Sequence, residues 1–306
     1  MTFSIVAFNE ESNELGAAIA SNLFGITTRA LFAQADVGIV ISQMLSEPTF
    51  GGTGLSGLQR KKKPASVLSE ILGGDPARET RQLVVMDASG AIAAHTGARC
   101  VQYAGHLADK NFAVQGALLK NENVLRATAE SFSRSHGPLA DRLVTALLAG
   151  ENEGGDLRGS RAAGLRVVAA TPHSSWLENN TVDVRVDDHA NPVNELARLL
   201  HIQKAVVASD IAFDRGLGGD MAGALADFNQ LEIQYPADID VALRFGILLA
   251  FAGDTNAAAI RLRRVSGTHP GWKEAIRRLP AAGFLPDDPA LRSALGLQVP
   301  DGSEGV

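Results

Sequence analysis

Cysteine is almost absent from this chain of 306 residues, which contains only Cys100. One thiol can form no internal disulfide and cannot supply a metal site built on several thiolates. A reducing, cytoplasmic setting is therefore expected. Long apolar runs are missing as well, because no stretch approaches the roughly 18 apolar residues of a membrane span. We expect no membrane partner.

Positive charge is also scarce. The chain has 28 lysines and arginines against 34 acidic residues, which gives a formal net charge of -6. Nucleic-acid binding needs a basic surface, so no nucleic-acid partner is expected. No GxGxxG motif follows a predicted strand, and there is no phosphate-binding GxxxxGK[ST] motif. The seven histidines contain no HExxH pair, so no metal site is predicted.

The first two thirds of the chain mix strands and helices. Apolar runs at 3–8 and 15–20 flank a polar segment, which predicts a hairpin that begins at the N-terminus. Strands and helices that occur in blocks favour a layered α+β domain over a doubly wound parallel sheet. Further strands are predicted at 37–43, on both sides of 87–90, at 161–170 and at 181–188, and helices at 52–60, 64–73, 121–135, 138–149 and 192–200.

The last third is rich in helix formers and repeats itself. GDMAGALADFNQLEIQYP and GDTNAAAIRLRRVSGTHP align without gaps at an offset of 34 residues. That offset is the tetratricopeptide period, and the segment resembles a pair of such repeats, with helices near 193–204 and 271–279 as caps. A nondescript helical hairpin is the alternative. The predicted domains are 1–204 and an all-α domain over 205–306, which ends in a loose tail and recruits a protein partner.

The start of the chain offers a candidate nucleophile. Thr2 follows Met1, and methionine aminopeptidases remove Met1 when the next side chain is small. A threonine hydroxyl needs a base, and a free α-amino group, with a pKa of about 7.7–8.0, supplies one within the same residue. An ordered strand that begins at Thr2 would hold this terminus in place. The alternative is a surface residue without a catalytic role.

Seven segments of the sequence resemble the domain-of-unknown-function 1028 family, which belongs to the N-terminal-nucleophile (Ntn) hydrolase superfamily. The resemblance covers about residues 1–200 and implies a four-layer αββα sandwich with Thr2 as the nucleophile. Many family members carry asparagine, a common oxyanion donor, where this chain has Glu47 and Ala117. The segments are MTFSIVA at the start, GAAIAS through Ser21, SQMLSEPTFG at 42–51, TGARC at 96–100, FAVQG at 112–116, GGDLRGSRAA at 154–163 and VDVRVDDHANP at 182–192.

Polar residues end the second predicted strand, beside the start of the first. Ser21 and Asn22 stand where Ntn folds often place groups that tune the terminal amine, so the resemblance implies a catalytic role for both. Ordinary strand-end polarity is the alternative. Ser4 shares a strand face with Thr2, given the period of two. It is predicted either to hydrogen-bond near the amine or to cap the sheet.

The glycine-rich segment GGDLRGSR supplies further candidates. Asp156, Arg158 and Ser160 would share one face if the segment were extended. A carboxylate can hold an α-ammonium, and a guanidinium can bind a substrate carboxylate; a solvated loop with a local Asp–Arg pair is the alternative. The catalytic candidates are thus Thr2, Ser21, Asn22 and Asp156, and the substrate-binding candidates are Ser4, Gln43, Gln115, Arg158 and Ser160, of which Gln43 and Gln115 lie in segments that carry the resemblance.

The combined expectation is a hydrolase that acts on a small amide or peptide-like substrate. Thr2 Oγ forms an acyl ester that water then releases, with backbone N–H groups and Ser21 or Asn22 as oxyanion donors. No metal or organic cofactor is required, and a homo-oligomer is expected. The competing expectation is a non-catalytic protein of the same fold that binds a ligand and whose repeats recruit a partner. The fold alone names no substrate.

Overall fold

The structure is a computed structural model that describes residues 2–297. The chain divides into two compact units, Met1–Leu200 and His201–Val306, whereas the sequence places the division between 204 and 205. Each unit has its own apolar core. The predicted removal of Met1 and the predicted loose tail at 301–306 lie outside the described residues.

The first unit is a mixed α+β structure. Its strands are β1 Thr2–Asn9, β2 Glu14–Ser21, β3 Leu31–Gln34, β4 Gly38–Met44, β5 Arg81–Asp87, β6 Ile92–Thr96, β7 Gly105–Ala108, β8 Phe112–Ala117, β9 Ala162–Ala169 and β10 Val182–Val186. Its helices are α1 Ile26–Ala30, α2 Thr49–Gln59, α3 Pro64–Gly73, α4 Asn123–Arg134, α5 Leu139–Asn152 and α6 Trp176–Asn179, and α7 Pro192–Leu217 runs through the division.

These strands form two antiparallel sheets. The first has the order β10-β9-β2-β1-β8-β7, and the second has the order β3-β4-β5-β6. The hairpin predicted at the N-terminus is present as β1 and β2. Because β8 pairs with the other edge of β1, the strand that begins at Thr2 lies at the centre of the first sheet. Thr2 is opposite Ser21 on one side and Ala117 on the other.

Side-chain alternation along β1 explains why its first residues are buried. Phe3 and Ile5 pack in a cluster with α4 and α5 on one face of the first sheet. Val6 belongs to a second cluster, formed between the two sheets. Thr2 and Ser4 have the same parity as Val6, so they face the space between the sheets. A third apolar cluster joins α2 and α3 to the other face of the second sheet.

Helix α7 differs most from its prediction. The sequence pattern ends this helix at 200 or 204, but it continues to Leu217. No proline follows Pro192 within it and its first glycine is Gly216, so nothing in the local sequence stops it earlier. Although α7 has 26 residues, neither it nor any other helix within residues 2–297 is long and apolar enough to cross a bilayer.

The second unit repeats its geometry as well as its sequence. Asp220 and Asp254 each cap a helix by accepting a hydrogen bond from the backbone N–H three residues later. Gly246 lies against Leu262, where an added Cβ would come within 2.9 Å of the leucine Cγ. The helices are α8 Met221–Gln234, α9 Ile239–Phe251, α10 Thr255–Ser266, α11 Pro270–Arg278 and α12 Pro289–Ala294, and the equivalent buried pairs are Ala224 with Ala258 and Phe228 with Leu262.

Candidate active site

The candidate nucleophile lies at the N-terminal end of β1. Thr2 is only 3% exposed. Its Oγ1 donates a hydrogen bond to Ser21 Oγ over 3.0 Å, and the same serine oxygen accepts from the backbone N–H of Leu23 at 3.0 Å. The cross-strand neighbour therefore fixes the threonine hydroxyl, and the structure brings Thr2 and Ser21 together.

A glutamine of the second sheet reaches across to the start of β1. Gln43 Nε2 donates to the backbone carbonyl oxygen of Thr2 at 3.1 Å and to Gln82 Oε1 at 3.0 Å. Gln43 Oε1 accepts from Ser4 Oγ at 2.7 Å. All of the polar hydrogens of this amide are thus used inside the protein. Gln43 positions β1 and leaves no donor for a substrate.

Gln82 extends this network and was missed by the sequence analysis. Its Nε2 donates to the Gly116 carbonyl oxygen at 2.8 Å and to Thr96 Oγ1 at 3.1 Å. Thr96 Oγ1 in turn lies 3.0 Å from His106 Nδ1, whose pKa is lowered by desolvation. The sequence offered one signal for this residue. Gln82 lies on the same strand face as core residues of β5, and a fully buried glutamine needs hydrogen-bond partners.

Gln115 is a buried polar side chain whose amide has no hydrogen-bond partner among the described residues. It is 1% exposed and lies on β8 opposite Ser4. A buried polar group left unsatisfied costs about 1–3 kcal/mol. Diagonal neighbours across an antiparallel pair are about 7–8 Å apart, so Gln115 is within side-chain reach of the space beside Thr2.

Asp156 supplies a buried carboxylate next to the end of β2. It is 1% exposed, and its Oδ2 accepts from the backbone N–H of Asn22 at 3.1 Å. Arg158 donates to the same carboxylate through Nε at 3.0 Å and through a terminal nitrogen at 2.8 Å, and this bonding raises the pKa of Arg158. The Asn22 side chain donates to the Gly159 carbonyl oxygen at 2.8 Å, so Asn22 fastens the 154–160 loop.

The 154–160 segment is not extended, and the expected shared face of its three polar residues is wrong. Gly154 and Gly155 have φ values of +106° and +48°, which glycine adopts readily. The Gly159 N–H then donates to the Asp156 carbonyl oxygen at 2.8 Å and closes a turn. Consequently Asp156 and Arg158 form the local ion pair that was the alternative expectation.

Ser160 points to a different partner. Its Oγ donates to Glu151 Oε2 at 2.8 Å, so its side chain is bonded to α5 and the structure does not bring it together with Thr2. Burial raises the pKa of Glu151, and the nearby charge of Asp156 raises it further. A Cβ at Gly155 would lie 2.5 Å from the same glutamate oxygen. The loop therefore leaves room for Glu151, which the sequence analysis did not single out.

The two positions where many family members carry asparagine have different surroundings. Ala117 is fully buried directly opposite Thr2, and its methyl group can donate no hydrogen bond. The carboxylate of Glu47 accepts from the Thr49 hydroxyl and backbone N–H at the start of α2. These bonds lower the pKa of Glu47. Neither side chain replaces an asparagine donor, whereas Gln115, on the same sheet face as Thr2, carries an amide without a partner among the described residues.

Outside this region, no group of three or more histidine, cysteine, aspartate and glutamate side chains within 2–297 could hold a metal ion. A depression of about 420 Å³ lies at the opposite end of β1, near Asn9 and Arg142. It contains none of the candidate site residues.

Comparison with known proteins matches the chain to a protein family and to solved structures. A model described as a family of unknown function, DUF1028, matches residues 2–196. The crystal structure of protein SPO2555 from Silicibacter pomeroyi, whose description also carries DUF1028, is 28% identical, has a TM-score of 0.59, and covers 67% of this chain and 88% of its own. No curated protein matches the chain.

Proposed function

The chain belongs to the DUF1028 family, and from that premise we propose that it is an N-terminal-nucleophile amide hydrolase acting through Thr2. The observation that carries the proposal is the setting of the Thr2 hydroxyl. It is buried at the start of a central strand and is bonded to Ser21 Oγ at 3.0 Å. A nucleophile that carries its own amine as the base needs such fixation. The proposal requires that Met1 be removed.

The proposed architecture is the four-layer αββα sandwich of the Ntn superfamily. It is supported by the three apolar clusters, which lie between α4–α5 and the first sheet, between the two sheets, and between the second sheet and α2–α3. The second unit is proposed to be a tetratricopeptide-like pair that binds a protein partner. Support for the pair comes from the equivalent caps at Asp220 and Asp254.

The reaction proceeds in two steps. The Thr2 α-amine accepts the hydroxyl proton while Oγ bonds to the carbonyl carbon of the amide. The C–N bond then breaks, and the α-ammonium returns the proton to the leaving amine. Water attacks the resulting ester with the amine again as base, and it releases the acid and restores Thr2. Neither step requires a cofactor.

Gln115 is proposed as the side-chain donor to the oxyanion. Asn22, a donor expected from the sequence, already donates to the 154–160 loop, and Ser21, the other one, is the acceptor in its bonds with Thr2 and Leu23. Gln115 carries a buried amide with no partner in the described part of the chain, on the same sheet face as Thr2. A preorganised donor of this kind typically contributes a factor of about 10²–10³ to kcat.

Asp156 is proposed to orient the terminal amine. Its carboxylate is buried and accepts from the backbone N–H of Asn22, which follows Ser21. A carboxylate favours the ammonium form of the amine that arises in the first step. Arg158 balances this charge through two hydrogen bonds. In this role Arg158 fixes the carboxylate, and the substrate-binding role expected from the sequence is not required.

The test compares wild type, Thr2→Ala and Thr2→Ser against a panel of small amides, ureido compounds and short peptides. Thr2→Ala should lose on the order of 10⁴-fold or more in rate, and Thr2→Ser should keep measurable turnover. Thr53→Ala, at an exposed threonine of α2, is the matched control and should keep full activity. The free energy of unfolding of each variant, measured by thermal melts, should lie within about 1 kcal/mol of the wild-type value.

Equal rates for wild type and Thr2→Ala would exclude Thr2 as the nucleophile. The second candidate function is a non-catalytic ligand-binding protein of the same fold, favoured by the methyl side chain of Ala117 opposite Thr2. Tight binding of a panel compound with no turnover by wild type, Thr2→Ala or Thr2→Ser would select this second function.

A further inference from the structure

Large apolar side chains are exposed around the start of β1. Their exposed fractions run from 38% at Leu23 to 58% at Phe24. Exposed apolar groups that cluster, unlike scattered ones, mark sites for a ligand or a partner. They are termed the apolar collar and comprise Leu23, Phe24, Leu45, Val101, Tyr103 and Leu157.

Leu23 and Leu45 of the collar lie close in sequence to residues that form hydrogen bonds with Thr2. The Leu23 N–H donates to Ser21 Oγ, the same atom that accepts from the Thr2 hydroxyl. Leu45 follows Gln43 by two residues, and the Gln43 amide is bonded to the Thr2 carbonyl oxygen. These leucines therefore lie on the segments that leave the β2 and β4 ends next to the nucleophile.

The backbones of Val101, Tyr103 and Leu157 form hydrogen bonds just beyond the end of β8, where Ala117 is opposite Thr2. The next residue, Leu118, donates from its N–H to the Val101 carbonyl oxygen at 2.9 Å and accepts from the Leu157 N–H at 3.0 Å. Tyr103 accepts from the following residue at 3.1 Å. Two segments of the collar thus follow partners of Thr2, and the other two bond to the residues that follow Ala117.

The collar continues at Tyr103 into a cleft of about 590 Å³. The cleft is bordered by Leu107, Leu119 and Leu125 as well as by Tyr103 and His106. Its volume falls within the range of about 300–1,000 Å³ that small-molecule sites occupy. An apolar surface thus continues from Tyr103 of the collar into this cleft.

We propose that the site selects amides whose acyl part is an apolar chain or ring, held against the collar. This inference rests on the proposed function, because the acyl group is the part of the substrate that stays on Thr2 through both steps. Transfer of each methylene from water to an apolar surface corresponds to about fourfold in affinity.

The experiment uses one aminocoumarin leaving group and a series of linear acyl chains from acetyl to decanoyl. In wild type, kcat/KM should rise by about fourfold for each added methylene until the collar is filled. Leu45→Ser and Leu157→Ser should each flatten this slope. Leu177→Ser is the matched control, because Leu177 is an exposed leucine on α6, outside the collar, and it should leave the slope unchanged.

Binding of the same series to Thr2→Ala separates the collar from the chemistry. Affinity that rises with chain length in this variant, without turnover by wild type, would support the collar and contradict the proposed hydrolase. Turnover by wild type that is independent of chain length would overturn the collar and leave the hydrolase standing. Collar variants that change the sedimentation coefficient but not the slope would identify a contact between copies, which also overturns the proposal.

Discussion

Gln43 and Thr2 belong to different sheets, and the Gln43 side-chain amide donates to the Thr2 backbone carbonyl oxygen at 3.1 Å. The same amide bonds Ser4 and Gln82. One side chain therefore links the start of β1 to the core of the second sheet. The position of the candidate nucleophile depends on packing between sheets as well as on its own strand.

Gln43→Leu should lower the free energy of unfolding by roughly 2–4 kcal/mol. The substitution leaves two buried acceptors, the Thr2 carbonyl and Gln82 Oε1, without this donor, and each unsatisfied group costs about 1–3 kcal/mol. Urea unfolding measures the loss. Gln59→Leu, at an exposed glutamine ending α2, should change stability by less than about 0.5 kcal/mol. Equal effects at both positions would contradict the buried network.

Gln115→Leu should not lower the free energy of unfolding, in contrast to Gln43→Leu. Its stability should stay unchanged or rise, because the leucine removes two buried polar atoms that lack partners among residues 2–297. Its kcat should fall by about 10²–10³-fold if the amide binds the oxyanion. Thermal melts and steady-state rates measured on the same preparation check both effects. A loss of stability like that of Gln43→Leu would show that the Gln115 amide is paired in the folded protein.

Glu151→Gln should flatten the dependence of stability on pH. Burial raises the pKa of Glu151 above its ordinary value of 4.5, so the folded state holds this proton more tightly than the unfolded state. The stabilising contribution is full below about pH 4.5 and is lost as the pH rises through the raised value.

Urea unfolding of wild type and Glu151→Gln across this pH range measures the difference. The glutamine keeps an oxygen that can accept from Ser160, so the loop contact should survive. Glu153→Gln, at an exposed position nearby, serves as the control and should follow the wild-type curve. A Glu151→Gln curve parallel to wild type would show that the carboxyl group is not held protonated by the fold.

Asp220→Ala and Asp254→Ala should each cost about 1 kcal/mol, because each carboxylate caps the helix that follows it. The loss at Asp220 should be at least as large, since Asp220 also accepts from Arg215. Asp214→Ala, within α7 at an exposed position, is the control. Thermal unfolding of the full chain is the measurement. A loss at only one of the two caps would contradict their equivalence in the repeat.

Two apolar runs that flank a polar segment predicted the β1–β2 hairpin, because short apolar runs bounded by turn residues are typical of buried strands. The repeat in the last third was visible for a similar reason, since equivalent buried residues recur at one spacing. The family resemblance implied that Thr2 is the nucleophile. These features depend on residues that are near one another in the sequence.

Other features depend on contacts that a single sequence does not contain. The partners of Gln82 come from β4, β6, β7 and β8, and the packing of two sheets brings them together. The alternation of Asp156, Arg158 and Ser160 would place them on one face of an extended segment. The sequence does not show that Gly154 and Gly155 take left-handed conformations or that the Gly159 N–H closes a turn onto Asp156.

The measurement that tests the central claim most directly is the mass of a trapped acyl-enzyme. Active protein is mixed with an amide substrate, quenched in acid during turnover, and digested for peptide mass mapping. We predict that the N-terminal peptide begins at Thr2 without Met1 and carries the mass of the acyl group, and that Thr2→Ala carries none. An acyl mass on another peptide, or turnover by protein that retains Met1, would contradict catalysis by Thr2.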